Sequence, residues 1–186
     1  MKKKVGLLVL VIVIIGVVKF CYDVHINYNF KSIAENKVYK SGVIPPGEIE
    51  NYVNMYNIKS IVDLRFPGTD DLENNPEIPE ELTLEKNAVE KIGNINYYNV
   101  GAEQVPSQEA VDKFLKIMDN NDNYPVLIHC HHGDGRAPLF SAIYRMEYEN
   151  MPNEEARDET RVLVKWSSFD DGKPKGEFLK NYKKRS

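Results

Sequence analysis

Pro125-Val126-Leu127-Ile128-His129-Cys130-His131-His132-Gly133-Asp134-Gly135-Arg136 is the stretch on which the fold turns. Its apolar start reads as a fully buried central strand, and Leu139–Met146 beyond it reads as a largely buried helix. The loop between them therefore enters a helix N-terminus, where backbone N–H groups lack partners and carry partial positive charge. Gly133 and Gly135 keep that ring of donors clear of side chains. Arg136, six residues after Cys130, adds a planar fork able to hold two phosphate oxygens. The same positive field favours the thiolate of Cys130. A cysteine after an apolar strand is ordinarily a small buried hydrophobe. Here the preceding histidine, the glycine three residues on, the arginine and the strand-helix frame point together to a phosphate site. The chemistry they predict is attack of Cys130 on phosphorus, a phosphocysteine, then hydrolysis.

HCHHGDGR resembles the HCxxGxxR signature loop of the cysteine-dependent protein-tyrosine and dual-specificity phosphatases, in the manner of their bacterial members. The similarity runs over roughly residues 30–166: Val38-Tyr39-Lys40-Ser41-Gly42 resembles the family's opening strand, Ile58–Arg65 its strand ending Asp-Leu-Arg, and Val105-Pro106-Ser107 the start of the helix before the signature strand. The resemblance implies an α/β fold with a central sheet flanked by helices, catalysis without metal or cofactor, and phosphomonoester substrates. It implies a catalytic Cys130 and Arg136, and a phosphate cradle of His131, His132, Gly133, Asp134, Gly135 and Arg136.

Two departures bear on activity. Most family members carry a serine or threonine after the loop arginine, where the hydroxyl helps the thiolate leave; this chain has Ala137, as the phosphatases of regenerating liver do, which predicts slow breakdown of the intermediate. The family's general acid is an aspartate on the loop before the helix that precedes the signature strand, and that loop here is Gly101-Ala102-Glu103-Gln104-Val105-Pro106. Glu103 is its only carboxylate and is the candidate acid; the competing reading is a solvated loop glutamate. Asp112 follows on a helix whose apolar face is Val111, Phe114, Leu115 and Met118, so it is expected to face solvent. Within the loop, Asp134 disfavours highly phosphorylated inositols, partly protonated histidines offset it, and His129 is expected to orient the loop. Adjacent histidines on a tight loop do not converge as metal ligands.

The N-terminus supplies the second informative region. Lys2, Lys3 and Lys4 precede the apolar run Val5–Val18, resumed after Lys19 by Phe20-Cys21-Tyr22. With Lys19 snorkelling, the run suffices to cross a bilayer, which takes about 17–25 residues. A cleaved signal peptide is the rival, but Val18-Lys19-Phe20-Cys21 offers no small-residue cleavage site. The expected organisation is an anchor over 1–22, a tether over 23–30 and one phosphatase domain over 31–186. The positive-inside rule places that domain outside the cytoplasm on a single-pass anchor in the cell membrane. Four of the 24 basic residues lie in the first 20 positions, so the remainder carries 20 basic against 28 acidic residues, which disfavours nucleic acid as a partner. The two cysteines, Cys21 and Cys130, make no disulfide framework.

Helical spacing covers Ile49, Tyr52, Val53 and Tyr56, and helices are expected over Leu82–Ile92 and Asn153–Trp166. Phe66–Glu80 reads as an exposed loop bordering the site, and the lysine-rich end, Lys173–Ser186, as a solvated helix. The leading function is an anchored phosphatase acting on phosphotyrosine, phosphoserine or phosphothreonine of a protein, or on a small phosphomonoester. The alternative is a catalytically weak phosphate-binding adaptor; a rhodanese-type sulfurtransferase is more distant.

Overall fold

The signature strand lies in the middle of the sheet. A computed structural model describes residues 2–68, 72–73, 76, 78–161 and 167–185. Its five strands are β1 (Lys31–Ala34), β2 (Val38–Ser41), β3 (Ser60–Asp63), β4 (Asn96–Asn99) and β5 (Val126–His129), in the spatial order β1-β2-β5-β3-β4. β5 pairs in parallel with β2 and β3, β4 extends the parallel set, and β1 closes the other edge antiparallel to β2. Both faces of β5 are covered, so all four of its residues are buried. That is why Pro125–Ile128 is continuously apolar rather than alternating.

Side-chain alternation sends the strands' residues to two cores. Val126 and Ile128 join Val38, Val62, Phe114 and Phe140 on one face; Leu127 joins Tyr39, Ile61, Ile49 and Val53 on the other. The first core is built by α4 (Gln108–Met118), α5 (Arg136–Tyr148), α6 (Asn153–Thr160) and α7 (Pro174–Asn181); the second by α2 (Ile49–Tyr56) and α3 (Pro79–Ile92). Ser107 caps α4, its hydroxyl accepting from the Ala110 N–H at 3.2 Å, and Asp112 is exposed as its helical position requires.

Sequence and structure differ at several elements. β1 is a strand that the sequence reading leaves out. α3 starts at Pro79, three residues before Leu82, because proline suits the first helical turn. α6 stops at Thr160, and the expected continuation over 162–166 lies outside the described residues. The C-terminal helix is not merely solvated: in α7 Leu179 is buried in the first core and Gly176 against the Phe169–Asp170 backbone.

α1 (Lys2–His25) carries the N-terminal apolar segment. Val5–His25 has a mean hydropathy of 2.7 and none of its described side chains is buried, so by length and composition it suffices to cross a membrane; a signal sequence has the same character. Lys19 pairs with Asp23 at 2.8 Å one turn further on. A turn at Tyr28 and Asn29, both with positive φ, then leads the chain into β1.

Candidate active site

Residues 130–135 leave β5 and enter α5, whose first helical residue is Arg136. Three successive loop carbonyls are occupied on one side. The O of His131 accepts from the Val43 N–H at 3.0 Å, that of His132 from Asn29 Nδ2 at 2.8 Å, and that of Gly133 from Lys40 Nζ at 2.7 Å. Across a trans peptide each N–H points opposite to the preceding carbonyl, so the N–H groups of His132, Gly133 and Asp134 are turned the other way. The Gly133 N–H accordingly donates to Cys130 Sγ at 3.3 Å. With the neighbouring N–H groups turned to the same side as the sulfur, the loop is built to receive an anion there.

The loop is held by a close crossing with the end of β2. Gly133 has φ +77°, and a Cβ there would lie 2.3 Å from the Gly42 nitrogen; a Cβ on Gly42 would lie 2.9 Å from the His132 oxygen. Two glycines are required because two backbones touch. Lys40 locks the crossing from behind by donating also to the Asn29 carbonyl at 3.2 Å. Burial and the charge of Lys31 lower its pKa to about 8, against the opposing pull of Cys130 and Asp134. Asn29, just ahead of β1, thus bonds the 130–135 loop directly.

Cys130 and Arg136 are 3% and 2% exposed, so neither is an ordinary surface residue. Arg136 Nη1 donates to the carbonyls of Leu64 at 3.1 Å and Ala102 at 3.3 Å, which orients the guanidinium from the ends of two neighbouring segments. Cys130, His132, Asp134, Gly135 and Arg136 line one cleft of about 390 Å³, joined by Glu73, Gln104, Ser168 and Lys175. The 101–106 loop therefore reaches the site, but Gln104 is the lining residue it contributes, and half-buried Glu103 stands beside it outside that lining among the described residues. Glu73 brings the 66–80 segment to the rim, as the sequence suggests. Ala137 is fully buried, and the next hydroxyl on α5, Ser141, donates to the Ala137 carbonyl at 2.8 Å.

Beneath the loop lies a buried ionic cluster. Arg65 donates to Asp63 at 2.8 Å and to Glu85, and Tyr97 donates to Asp63 at 2.5 Å. His129 Nε2 lies 2.9 Å from Glu85 Oε1 and 3.7 Å from Asp63 Oδ1. Burial lowers the His129 pKa, but the Glu85 and Asp63 carboxylates outweigh it and raise it above the ordinary histidine value. Burial likewise raises the Asp63 pKa, and His129 and Arg65 outweigh it and lower it. His129, the last residue of β5 before the loop, is thus held against the Glu85 and Asp63 carboxylates. Asp63, Glu85 and His129 have the mutual spacing of metal ligands, but the Arg65 guanidinium already bonds both carboxylates, so the cation of this cluster is an arginine.

The sequence reading misses Lys40, the Asp63–Glu85 pair and Lys175. A lysine inside the strand Val38–Ser41, which must pair with a buried neighbour, is the one signal for Lys40. Lys175 has no such signal, since it sits among other lysines in an apparently solvated tail.

A central parallel sheet that delivers a cysteine into an amide-ringed loop closed by an arginine defines the cysteine-based phosphatases of the protein-tyrosine and dual-specificity superfamily. The family model described as "DSP-PTPase phosphatase fused to NAD+ Kinase" matches residues 23–173, and the chain belongs to that family. Solved structures agree on the fold. The catalytic core of the PP-IP phosphatase Siw14 from S. cerevisiae is 22% identical over 83% of this chain and 85% of its own, with a TM-score of 0.59. P. aeruginosa TpbA bound to phosphotyrosine is 16% identical over 83% and 85%, with a TM-score of 0.59. Tk-PTP in its active form is 22% identical over 81% and 93%, with a TM-score of 0.58. Comparison with curated protein sequences gives no match.

Proposed function

We propose that the chain hydrolyses phosphomonoesters, on a phosphorylated protein or a small molecule, through a phosphocysteine at Cys130. The Cys130 thiolate attacks phosphorus while Arg136 and the loop N–H groups hold the phosphoryl oxygens. The ester P–O bond breaks as the S–P bond forms, and the leaving oxygen takes a proton from Glu103, on the loop that also brings Gln104 to the cleft. Water then attacks phosphorus, the S–P bond breaks, and the Glu103 carboxylate takes the water's proton. His131, His132, Gly133, Asp134 and Gly135 form the cradle. The observation that carries this reading is the Gly133 N–H directed at a buried Cys130 sulfur, with the adjacent carbonyls bonded on the opposite side.

Ala137 sets the pace of the second step. With no hydroxyl at that position and Ser141 committed to a backbone carbonyl, the departing thiolate lacks an alcohol donor from this turn of α5, so the phosphocysteine is expected to accumulate. In the same reading residues 1–22 anchor the chain, 23–30 form the tether, and residues 31–186 form the phosphatase domain outside the cytoplasm. The apolar character of α1 supports the anchor, and the lysines at its start the orientation by the positive-inside rule.

The test is phosphate release from p-nitrophenyl phosphate by the full chain in detergent under reducing conditions, beside Cys130→Ser and Glu103→Gln. The expected result is turnover that Cys130→Ser abolishes and Glu103→Gln reduces by about 10²-fold or more with poor leaving groups. Phosphate binding without release or a trapped phosphocysteine would establish the adaptor instead. Turnover of an alkyl phosphomonoester, whose leaving group is poor, that is unchanged in Glu103→Gln would remove Glu103 from the mechanism.

A further inference from the structure

α7 brings one side chain to the catalytic cleft that neither the signature loop nor the acid loop supplies. Gly176 is the reason it can. A Cβ there would come within 2.2 Å of the Asp170 oxygen and 2.6 Å of the Phe169 oxygen, so the absent side chain lets α7 press onto that backbone. The preceding residue, Lys175, is then carried over the loop. Its Nζ lies 2.9 Å from where a Cβ on Gly135 would stand, and Gln104 Oε1 lies 3.2 Å from the same point. A bare Gly135, immediately before Arg136, is what makes room for the ammonium.

Lys175 is placed without the partner that a surface lysine usually has. No carboxylate lies within salt-bridge distance of it among the described residues, and its Nζ stands over the Phe169 ring, 5.6 Å from the centroid. Burial lowers its pKa from the ordinary lysine value, with Cys130 and Asp134 pulling the other way. An ammonium partly withdrawn from water and facing a phosphate cradle is stabilised when an anion enters. The charges in the cleft point the same way. Among the described residues that line the cleft, the carboxylates are Asp134 and Glu73 and the fixed cations are Arg136 and Lys175. A phosphoryl dianion adds to the negative side, and a second cation is what offsets it.

Resting on the phosphatase reading above, we propose that Lys175 is a phosphate-binding residue of this active site, its ammonium meeting a phosphoryl oxygen across the cleft from Arg136. The C-terminal helix is therefore part of the catalytic apparatus, and the ligand it takes is a phosphomonoester or inorganic phosphate.

Inorganic phosphate is the probe. Its binding to the full chain in detergent is measured by calorimetry for the parent, Lys175→Met, Lys175→Arg and Cys130→Ser, with kcat/KM for p-nitrophenyl phosphate and inhibition by vanadate measured in parallel. Lys175→Met is expected to weaken phosphate binding and lower kcat/KM by about 10-fold or more, with vanadate affected at least as much, and Lys175→Arg is expected to restore part of the loss. Phosphate binding and kcat/KM equal to the parent's in Lys175→Met would overturn the proposal while leaving the phosphatase reading intact. A parent that binds phosphate through Lys175 but releases none from ester would keep the proposal and overturn the hydrolytic reading. If Lys175→Met does not fold, Gly135→Ala displaces the ammonium without removing it, and parental phosphate affinity in that variant would overturn the proposal.

Discussion

Alanine at Gly133 and alanine at Gly135 are the same substitution two residues apart, and the structure gives them opposite consequences. At Gly133 the backbone is left-handed, φ +77°, which costs an alanine about 1–2 kcal/mol. Its Cβ would also stand 2.3 Å from the Gly42 nitrogen and 2.6 Å from the Ser41 carbonyl carbon, both backbone atoms of a strand end buried in the sheet. The loop must retreat. It then loses the Lys40–Gly133 and Asn29–His132 hydrogen bonds, each worth about 1 kcal/mol net. Together these terms amount to about 3 kcal/mol, a fall of about 6–12 °C in Tm for a chain of this size. At Gly135 φ is −113°, and the atoms a Cβ would meet are the ends of two flexible side chains, Lys175 Nζ and Gln104 Oε1. Gly135→Ala is therefore expected to change stability by less than about 1 kcal/mol yet to lower phosphate affinity. Thermal unfolding and p-nitrophenyl phosphate turnover of both variants decide the matter. A Gly133→Ala protein that melts within about 2 °C of the parent and keeps its activity would refute the close-crossing account of the loop.

Two further outcomes concern pH. Lys40 has its pKa lowered to about 8, so its charged form is the costly one. Its contribution to stability is lowest below pH 8 and grows as pH rises towards the ordinary lysine value of about 10.4, and Lys40→Met should remove that rise in a series of denaturant titrations. His129 behaves in the opposite sense. Its pKa is raised, so the stability it contributes is present below the ordinary histidine value of about 6.5 and is lost as pH climbs through the higher folded value. His129→Asn should abolish that decline; a decline of parental size in the variant would assign it to another group.

Local sequence carried far for this protein because its decisive features are local. A strand buried on both faces must be apolar throughout, a loop entering a helix must expose amides, and a cysteine and an arginine placed in that loop face the same anion; Pro125–Arg136 contains all of this. The helices α2 and α4 were legible from the period of their buried residues, and the cap at Ser107 from its type and place. What sequence spacing does not encode is which distant segments close over the loop. Lys40 reaches it because β2 pairs beside β5, and Asn29 is bonded to Lys40 in turn; Asp63 and His129 meet through the register of β3 with β5, and Glu85 joins them from a helix packed beneath. Lys175 looks like any other lysine of the tail until Gly176 lets α7 close on the Phe169–Asp170 backbone. Chain-local chemistry thus specified the loop that carries the proposed nucleophile and its cradle. Only tertiary packing, which sets distances between residues far apart in sequence, decided which charges surround them.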